Sequence, residues 1–265
     1  MWTALATAAC GDGGTVVGST PSRPQGADEV VVQILISGGF VPVDVAVGTI
    51  PSVTVLGDGT VISQAPVTAI YPGGAIAPLQ AVTAPAAVVD GLIRKAEALG
   101  LLAGKLDFGQ PPVADAPDTT VTIVAGGTTH THSANALGIN DAGPGLGADA
   151  AKHRRALSEF VKAANALPPG VRAWEPAEIA VYALGPYTAD PQLPQPSQPW
   201  PLAKPPAVPA APTGGRPCTL VTGADVRTLL TALTRANART PWVINGVQQA
   251  MVFRPVVPGQ PGCTG

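Results

Sequence analysis

Residues 52–63 read SVTVLGDGTVIS. Two runs rich in Val, Ile and Thr flank Asp58-Gly59, and Asp-Gly between alternating runs marks a tight hairpin turn. Strands joined this way must be antiparallel. Upstream, VVVQILIS (30–37) reads as a strand, and PVDVAVG (42–48), with Val at every second position, extends the series. Three or four antiparallel strands therefore open the domain.

Downstream the period changes. After the loop YPGGAIAP (71–78), Thr83 stands where an N-cap belongs and Pro85 falls in the first turn. Val89, Leu92, Ile93 and Ala96 then recur at helical spacing, and the helix stops near Gly100. The loop FGQPPVADAPD (108–118) leads into TTVTIVAGGTTHTHSANAL (119–137), two β runs joined at Gly126-Gly127. A second helix starts near Asp149, with Leu157, Phe160, Val161 and Ala164 on one face, and ends before Pro168-Pro169-Gly170. EIAVYAL (178–184) is a further strand.

Residues 186–217 are the strongest punctuation, with PQLPQPSQPWPLAKPPAVPAAP at their centre. Such proline density implies an extended, semi-rigid segment. It reads either as a linker between domains or as a surface belt pinned by Trp200. Beyond it come a strand ending at Val221, Thr222 as a cap, a helix carrying Val226, Leu229, Leu230 and Leu233, and the β runs WVING and QQAMVFRPVVP. Both halves thus place a helix with a V-x-x-L face before a hairpin, an order that fits either an internal duplication or independent elements. The fold class is α+β: antiparallel sheets, each packed by amphipathic helices, with a Pro-rich connecting segment. Its organisation is a signal and flexible tether (1–28), an α+β domain (29–185), the Pro-rich segment (186–217) and a strand-helix-strand segment (218–265).

The chain has 265 residues, enough for one large domain or two small ones. Only 12% are charged and the net charge is −2, so there is no basic footprint for a nucleic acid partner. No run of about twenty apolar residues is present to span a bilayer.

There are three cysteines. Thr7-Ala8-Ala9-Cys10, followed by Gly11-Asp12-Gly13-Gly14, has the small residues of a lipoprotein processing box and a flexible spacer after the Cys. Met1 to Ala9 is too short for the apolar region of a signal, so the expected true start lies upstream. Lipidation at Cys10 would anchor an extracytoplasmic protein to the membrane; the bland alternative is an incidental cysteine in a short tail. With Cys10 assigned to lipid, Cys218 and Cys263 form an even remainder and fit a disulfide closing the last segment, against two separate buried thiols. That closure stabilises by roughly 4 kcal/mol on the chain-entropy picture.

Catalytic and metal-binding patterns are weak. His130 and His132 lie two apart on a strand and share a face, which suits a metal only with a third ligand; otherwise they are exposed polar side chains. Ser133 and Ser158 lack a nucleophile-elbow context. GPGLG (143–147) has no Lys-Ser/Thr and reads as a turn, while Asp115 and Asp118 suit capping. No cofactor is indicated, and the chain reads as a binding or interaction module rather than an enzyme. Its candidate contact loops are those carrying Tyr71, Phe108 and Trp200.

Cys10 with its box, SGGF (37–40), TVLGDGTVI (54–62), IYPGG (70–74) and FRPVVPGQPGC (253–263) together resemble a group of secreted actinobacterial lipoproteins. That resemblance implies a compartment, the outer face of the cell membrane, rather than an activity. A second resemblance is to emfourin-type inhibitors of thermolysin-like metalloproteases: a strand ending at Ser37 to Phe40, a helix from Val89 to Leu102, and a hairpin from Asp118 to His132. It implies protease inhibition as the alternative to capture of a cell-envelope partner.

Overall fold

The computed structural model describes residues 20–208 and 217–263. Twelve strands and four helices occur among them. The first half contains β1 (Val30–Ser37), α1 (Val43–Gly48), β2 (Val53–Leu56), β3 (Thr60–Gln64), β4 (Leu79–Thr83), α2 (Ala86–Ala98), β5 (Asp118–Ala125), β6 (Thr128–Asn135) and α3 (Ala148–Asn165). The second contains β7 (Arg172–Trp174), β8 (Glu178–Pro186), β9 (Gln198–Pro199), β10 (Cys218–Thr222), α4 (Ala224–Leu233), β11 (Trp242–Ile244) and β12 (Val247–Pro255). They build a seven-stranded sheet ordered β6-β5-β1-β2-β3-β4-β7 and a five-stranded sheet ordered β10-β8-β12-β11-β9. The chain is α+β, and among the strands of the described residues only β11 with β9 pairs in parallel.

The Asp58-Gly59 turn joins β2 to β3 with Val55 opposite Val61. Asp58 accepts from the Thr60 N–H at 2.8 Å and from its hydroxyl at 3.0 Å, which closes the turn with a side chain. Gly59 has φ +87°, and an added Cβ would lie 2.5 Å from the Ala84 carbonyl oxygen. Gly59→Ala is therefore expected to cost about 1–3 kcal/mol, read as a lowered urea midpoint; an unchanged midpoint would show that the turn relaxes freely.

One core lies between the first sheet and its helices. Val89, Leu92, Ile93 and Ala96 of α2 meet Leu157, Phe160 and Ala164 of α3 and the inward side chains of β1, β2 and β5. A second gathers Ile179, Val181 and Ala183 of β8, Val226, Leu229 and Leu233 of α4, and Trp242, Met251 and Phe253. A third, small cluster covers the opposite face of β2, β3 and β4: Leu56, Ile62, Leu79 and Ala81 close over Val257. Burial on both faces explains why all four residues of β2 are inaccessible.

Several local expectations are corrected. PVDVAVG is not a strand: Val43–Gly48 forms α1, a short helix with Pro42 at its N-cap, Asp44 in its first turn and no buried residue. The segment joins neither sheet, so its alternating valines have no strand pairing to set their period. Thr83 belongs to β4 and Pro85 takes the N-cap of α2. Thr222 likewise ends β10, and Gly223 at φ 64° caps α4. Gly100 does end α2: it donates to Glu97 O while Leu101 donates to Ala96 O, a Schellman closure that needs the positive φ of 73°.

Both halves carry the strand-helix-hairpin order, but their pairing differs. β5, the first strand of its hairpin, joins β1, whereas β12, the second strand of its hairpin, joins β8. The two units therefore insert into their sheets in different ways.

Cys10 and the first half of the expected tether lie outside the described residues. Residues 20–28 of that tether rest on the domain. The Arg23 guanidinium, 6% exposed, donates to Asp90 at 2.7 Å and to Gly57 O at 2.7 Å, and Gly126 donates to Ser22 O. A polar, Pro-containing segment suggests a free chain, yet here long-range partners hold the Ser22 carbonyl and the buried Arg23 guanidinium.

The sheets are tied together at three places. Ile76 bridges Phe253, Gly74 bridges Asn237, and α1 packs against β12. A C-terminal strap adds a fourth tie. Gln33 donates to Pro258 O at 2.8 Å and Gln260 to Thr49 O at 2.9 Å, both reaching first-sheet segments. Cys218 and Cys263 are joined by a disulfide, with Cα atoms 5.5 Å apart, which fixes the end of that strap to β10. Arg254, only 4% exposed, donates to the Tyr182 hydroxyl and to the carbonyls of Pro261 and Gly262.

Candidate functional site

A cleft of about 640 Å³ opens where the two sheets meet. α1 and the residues after it supply Asp44, Val45, Gly48, Thr49 and Ile50 on one side. The loop before β4 supplies Gly74, Ala75 and Ala77; β8 and its continuation supply Leu184, Pro186, Tyr187 and Thr188. The turn after α4 gives Ala238, Arg239 and Thr240, and β12 gives Ala250 to Phe253. Its volume falls in the range of small-ligand sites, and its composition follows their usual plan of apolar walls with a few polar groups.

The walls are held from behind. Phe253 packs edge-on against Trp242 at 5.3 Å between centroids, and Trp200 stacks on Phe253 at 6.4 Å with rings 12° from parallel. Trp200 is placed by its backbone, which donates to Val243 O beside the β9–β11 pairing, and by its indole N–H, which donates to Lys204 O at 2.9 Å. The turn at 237–240 is pinned by several bonds. Ala238 donates to Gly73 O at 2.9 Å, Arg239 N to Asn237 Oδ1 at 2.8 Å, and Asn237 Nδ2 to Gln195 Oε1 at 2.7 Å. Thr240, 5% exposed, uses its hydroxyl to accept from Asn237 N.

Polar groups of the residues that line the cleft are incompletely matched among the described residues. The Tyr187 hydroxyl is buried with no hydrogen-bond partner. Such a group costs about 1–3 kcal/mol when left unsatisfied, more than an ordinary surface tyrosine would carry. Arg239 and Asp44 both line the cleft but form no ion pair with each other.

The sequence-based contact residues separate here. Tyr71 is 75% exposed beside the exposed Ile70, at the start of the loop whose later residues enter the cleft. Trp200 is half-buried and supports the cleft from behind rather than projecting outward. Phe108 is only 6% exposed and belongs to the first core, away from the cleft. Its ring sits edge-on to His132 at 5.6 Å and to His153 at 6.2 Å, so the aromatic of a Pro-rich loop is an anchor rather than a contact surface.

The histidines are also placed differently from the exposed pair expected of THTHS. His132 is buried and its Nε2 bonds Leu101 O at 2.7 Å, while His130 is partly exposed on the same strand face. His153 Nδ1 bonds Asp107 O at 2.7 Å. Phe108 stands between His132 and His153, and among the described residues no group of three or more His, Cys, Asp or Glu side chains is set to hold a metal ion. No helix among them is long and apolar enough to cross a membrane.

No known protein family, curated protein or solved structure matches this chain. The functional reading therefore rests on the site itself. Sequence reasoning reached the Tyr71 loop and Trp200 but not Asp44, Tyr187 or Arg239. These come from three distant segments with no shared motif, so only the folded arrangement of the two sheets unites them.

Proposed function

We propose that this chain is a ligand-binding protein of the cell envelope, held at the membrane by a lipid on Cys10 and working through the cleft between its two sheets. The observation that carries this reading is the cleft of about 640 Å³, whose largely apolar walls include the polar residues Asp44, Tyr187 and Arg239. The compartment is supported by the Cys218–Cys263 disulfide, since such bonds persist in oxidising surroundings. In this reading each sheet with its amphipathic helices is a scaffold, and residues 186–208 of the Pro-rich segment form a surface belt rather than a linker. The belt is supported by the β9 pairing, by the stacking of Trp200, and by Ala207 donating to Thr219 Oγ1 at 2.8 Å.

Binding is tested with fractions of small molecules and short peptides extracted from bacterial envelopes. The full chain should melt later in an active fraction, with stabilisation of about 2.7 kcal/mol at a hundredfold excess over Kd. Ala77→Trp, which fills the cleft, should lose that response while keeping its own melting temperature. A response that survives Ala77→Trp would place binding elsewhere. Intact mass of membrane-extracted protein tests the anchor, and an unmodified Cys10 removes it.

A second reading, inhibition of a thermolysin-like metalloprotease, is favoured by one observation. The loop from Ala65 to Pro78 is closed at its base by Ala65 donating to Pro78 O, while Ile70 and Tyr71 stand exposed. Stoichiometric inhibition of thermolysin without cleavage would move this reading ahead of the first. Absence of inhibition leaves the cleft as the working site.

A further inference from the structure

The chain satisfies its shielded arginines with one exception. Among the described residues four arginines are not fully exposed: Arg23, Arg154, Arg239 and Arg254. Arg23 bonds Asp90 and Gly57 O; Arg154 bonds Asp141 and three carbonyls; Arg254 bonds Tyr182 Oη and two carbonyls. The Arg239 side chain has no hydrogen-bond or ion-pair partner among those residues, although its backbone is pinned. A half-shielded cation without a counter-charge is unfavourable, and a guanidinium is best matched by a carboxylate, which it can hold through two parallel bonds.

Among the described residues Arg239 is also the only cationic one lining the cleft, and Ala75, Leu184, Met251 and Phe253 give that cleft apolar wall. We propose that the cleft binds a monocarboxylate carried on an apolar body, with Arg239 as its anion-binding residue. This rests on the cleft-binding reading above and specifies its ligand class. Tyr187 lines the same cleft, with its hydroxyl buried inside the wall rather than at the cleft surface. Asp44, exposed on α1, adds a negative charge at the rim that disfavours ligands with further anionic groups. An apolar chain ending in one carboxylate fits the apolar wall, Arg239 and Asp44 together, whereas a neutral apolar molecule leaves Arg239 unmatched and a dianion meets Asp44.

The probes are decanoate and 1-decanol, titrated calorimetrically into the full chain. Decanoate should bind one per chain, at least about tenfold more tightly than decanol, a factor equivalent to about 1.4 kcal/mol. Arg239→Gln should weaken decanoate about tenfold and abolish its advantage. Arg239→Lys should recover part of that loss by keeping the charge, and Arg227→Gln, on the exposed surface of α4, should change nothing. Melting temperatures of the variants check that each is folded. Equal binding of decanol and decanoate by the unaltered chain would overturn the ligand class while leaving a binding cleft in place. Decanoate binding indifferent to Arg239→Gln would overturn the residue assignment. No saturable binding of either probe would overturn the proposal, and a fraction response lost in Ala77→Trp would show the cleft-binding reading surviving that failure.

Discussion

Arg154→Met is expected to lose about 3–5 kcal/mol of stability, the range for removing one partner of a buried ion pair. Arg154 is completely inaccessible. Its Nε donates to Asp141 at 2.9 Å, its Nη2 to Asn135 O and Ala136 O at 2.8 Å each, and its Nη1 to Phe108 O at 3.3 Å. One side chain thus joins α3 to the end of β6, the turn through Asp141 and the loop before β5. Methionine fills most of the volume but removes the cation opposite the Asp141 carboxylate and one donor from each of three carbonyls. Asp141 keeps the Gly138 N–H and Ala136 O keeps the Ile139 N–H, while the lost charge and donors carry the desolvation cost. Arg154→Lys restores the charge without the planar fork, so it should fall between the two. Urea unfolding measures both; a midpoint in Arg154→Met within experimental error of the unaltered chain would falsify the clamp.

The double variant Cys218→Ala, Cys263→Ala is expected to lose about 4 kcal/mol, the chain-entropy value for a sequence separation of 45 residues. The same loss should follow when the unaltered chain is unfolded in reductant, and the double variant should be indifferent to reductant. Agreement between these two routes separates the covalent link from packing of the sulfur atoms. A loss in the variant without a matching loss on reduction would assign the effect to packing instead.

Local chemistry made much of this molecule legible. The Asp58-Gly59 and Gly126-Gly127 turns fix their hairpins with local partners, and the buried sets on α2 and α4 recur at helical spacing, so sequence neighbours sufficed. The disulfide was legible from the cysteine count. α1 was not, because alternating valines signal a strand only when a sheet exists to receive one face. β7 and β9, three and two residues long, have no pattern of their own and exist through distant partners, β4 and β11. Phe108 and His132 were placed outside because Pro-rich and Thr-rich surroundings suggest solvent. Their burial is decided by α3 and by the carbonyl of Leu101, neither visible in the local composition. The cleft was invisible for the same reason at larger scale. Asp44, Tyr187 and Arg239 become neighbours of one space only after both sheets have formed and joined.

The C-terminal strap gives this joint an unusual character. Val257 is sealed under β2, β3 and β4, Gln260 holds the carbonyl of Thr49 in the cleft wall, and Cys263 is bound covalently to β10. Two walls braced in this way do not act as jaws that swing shut on an arriving molecule. Under the proposed binding reading, a ligand would meet a preorganised shape and forfeit little affinity to ordering the protein, so selectivity would be exercised at entry by fit and charge. The strap makes the cleft a lock rather than a clamp.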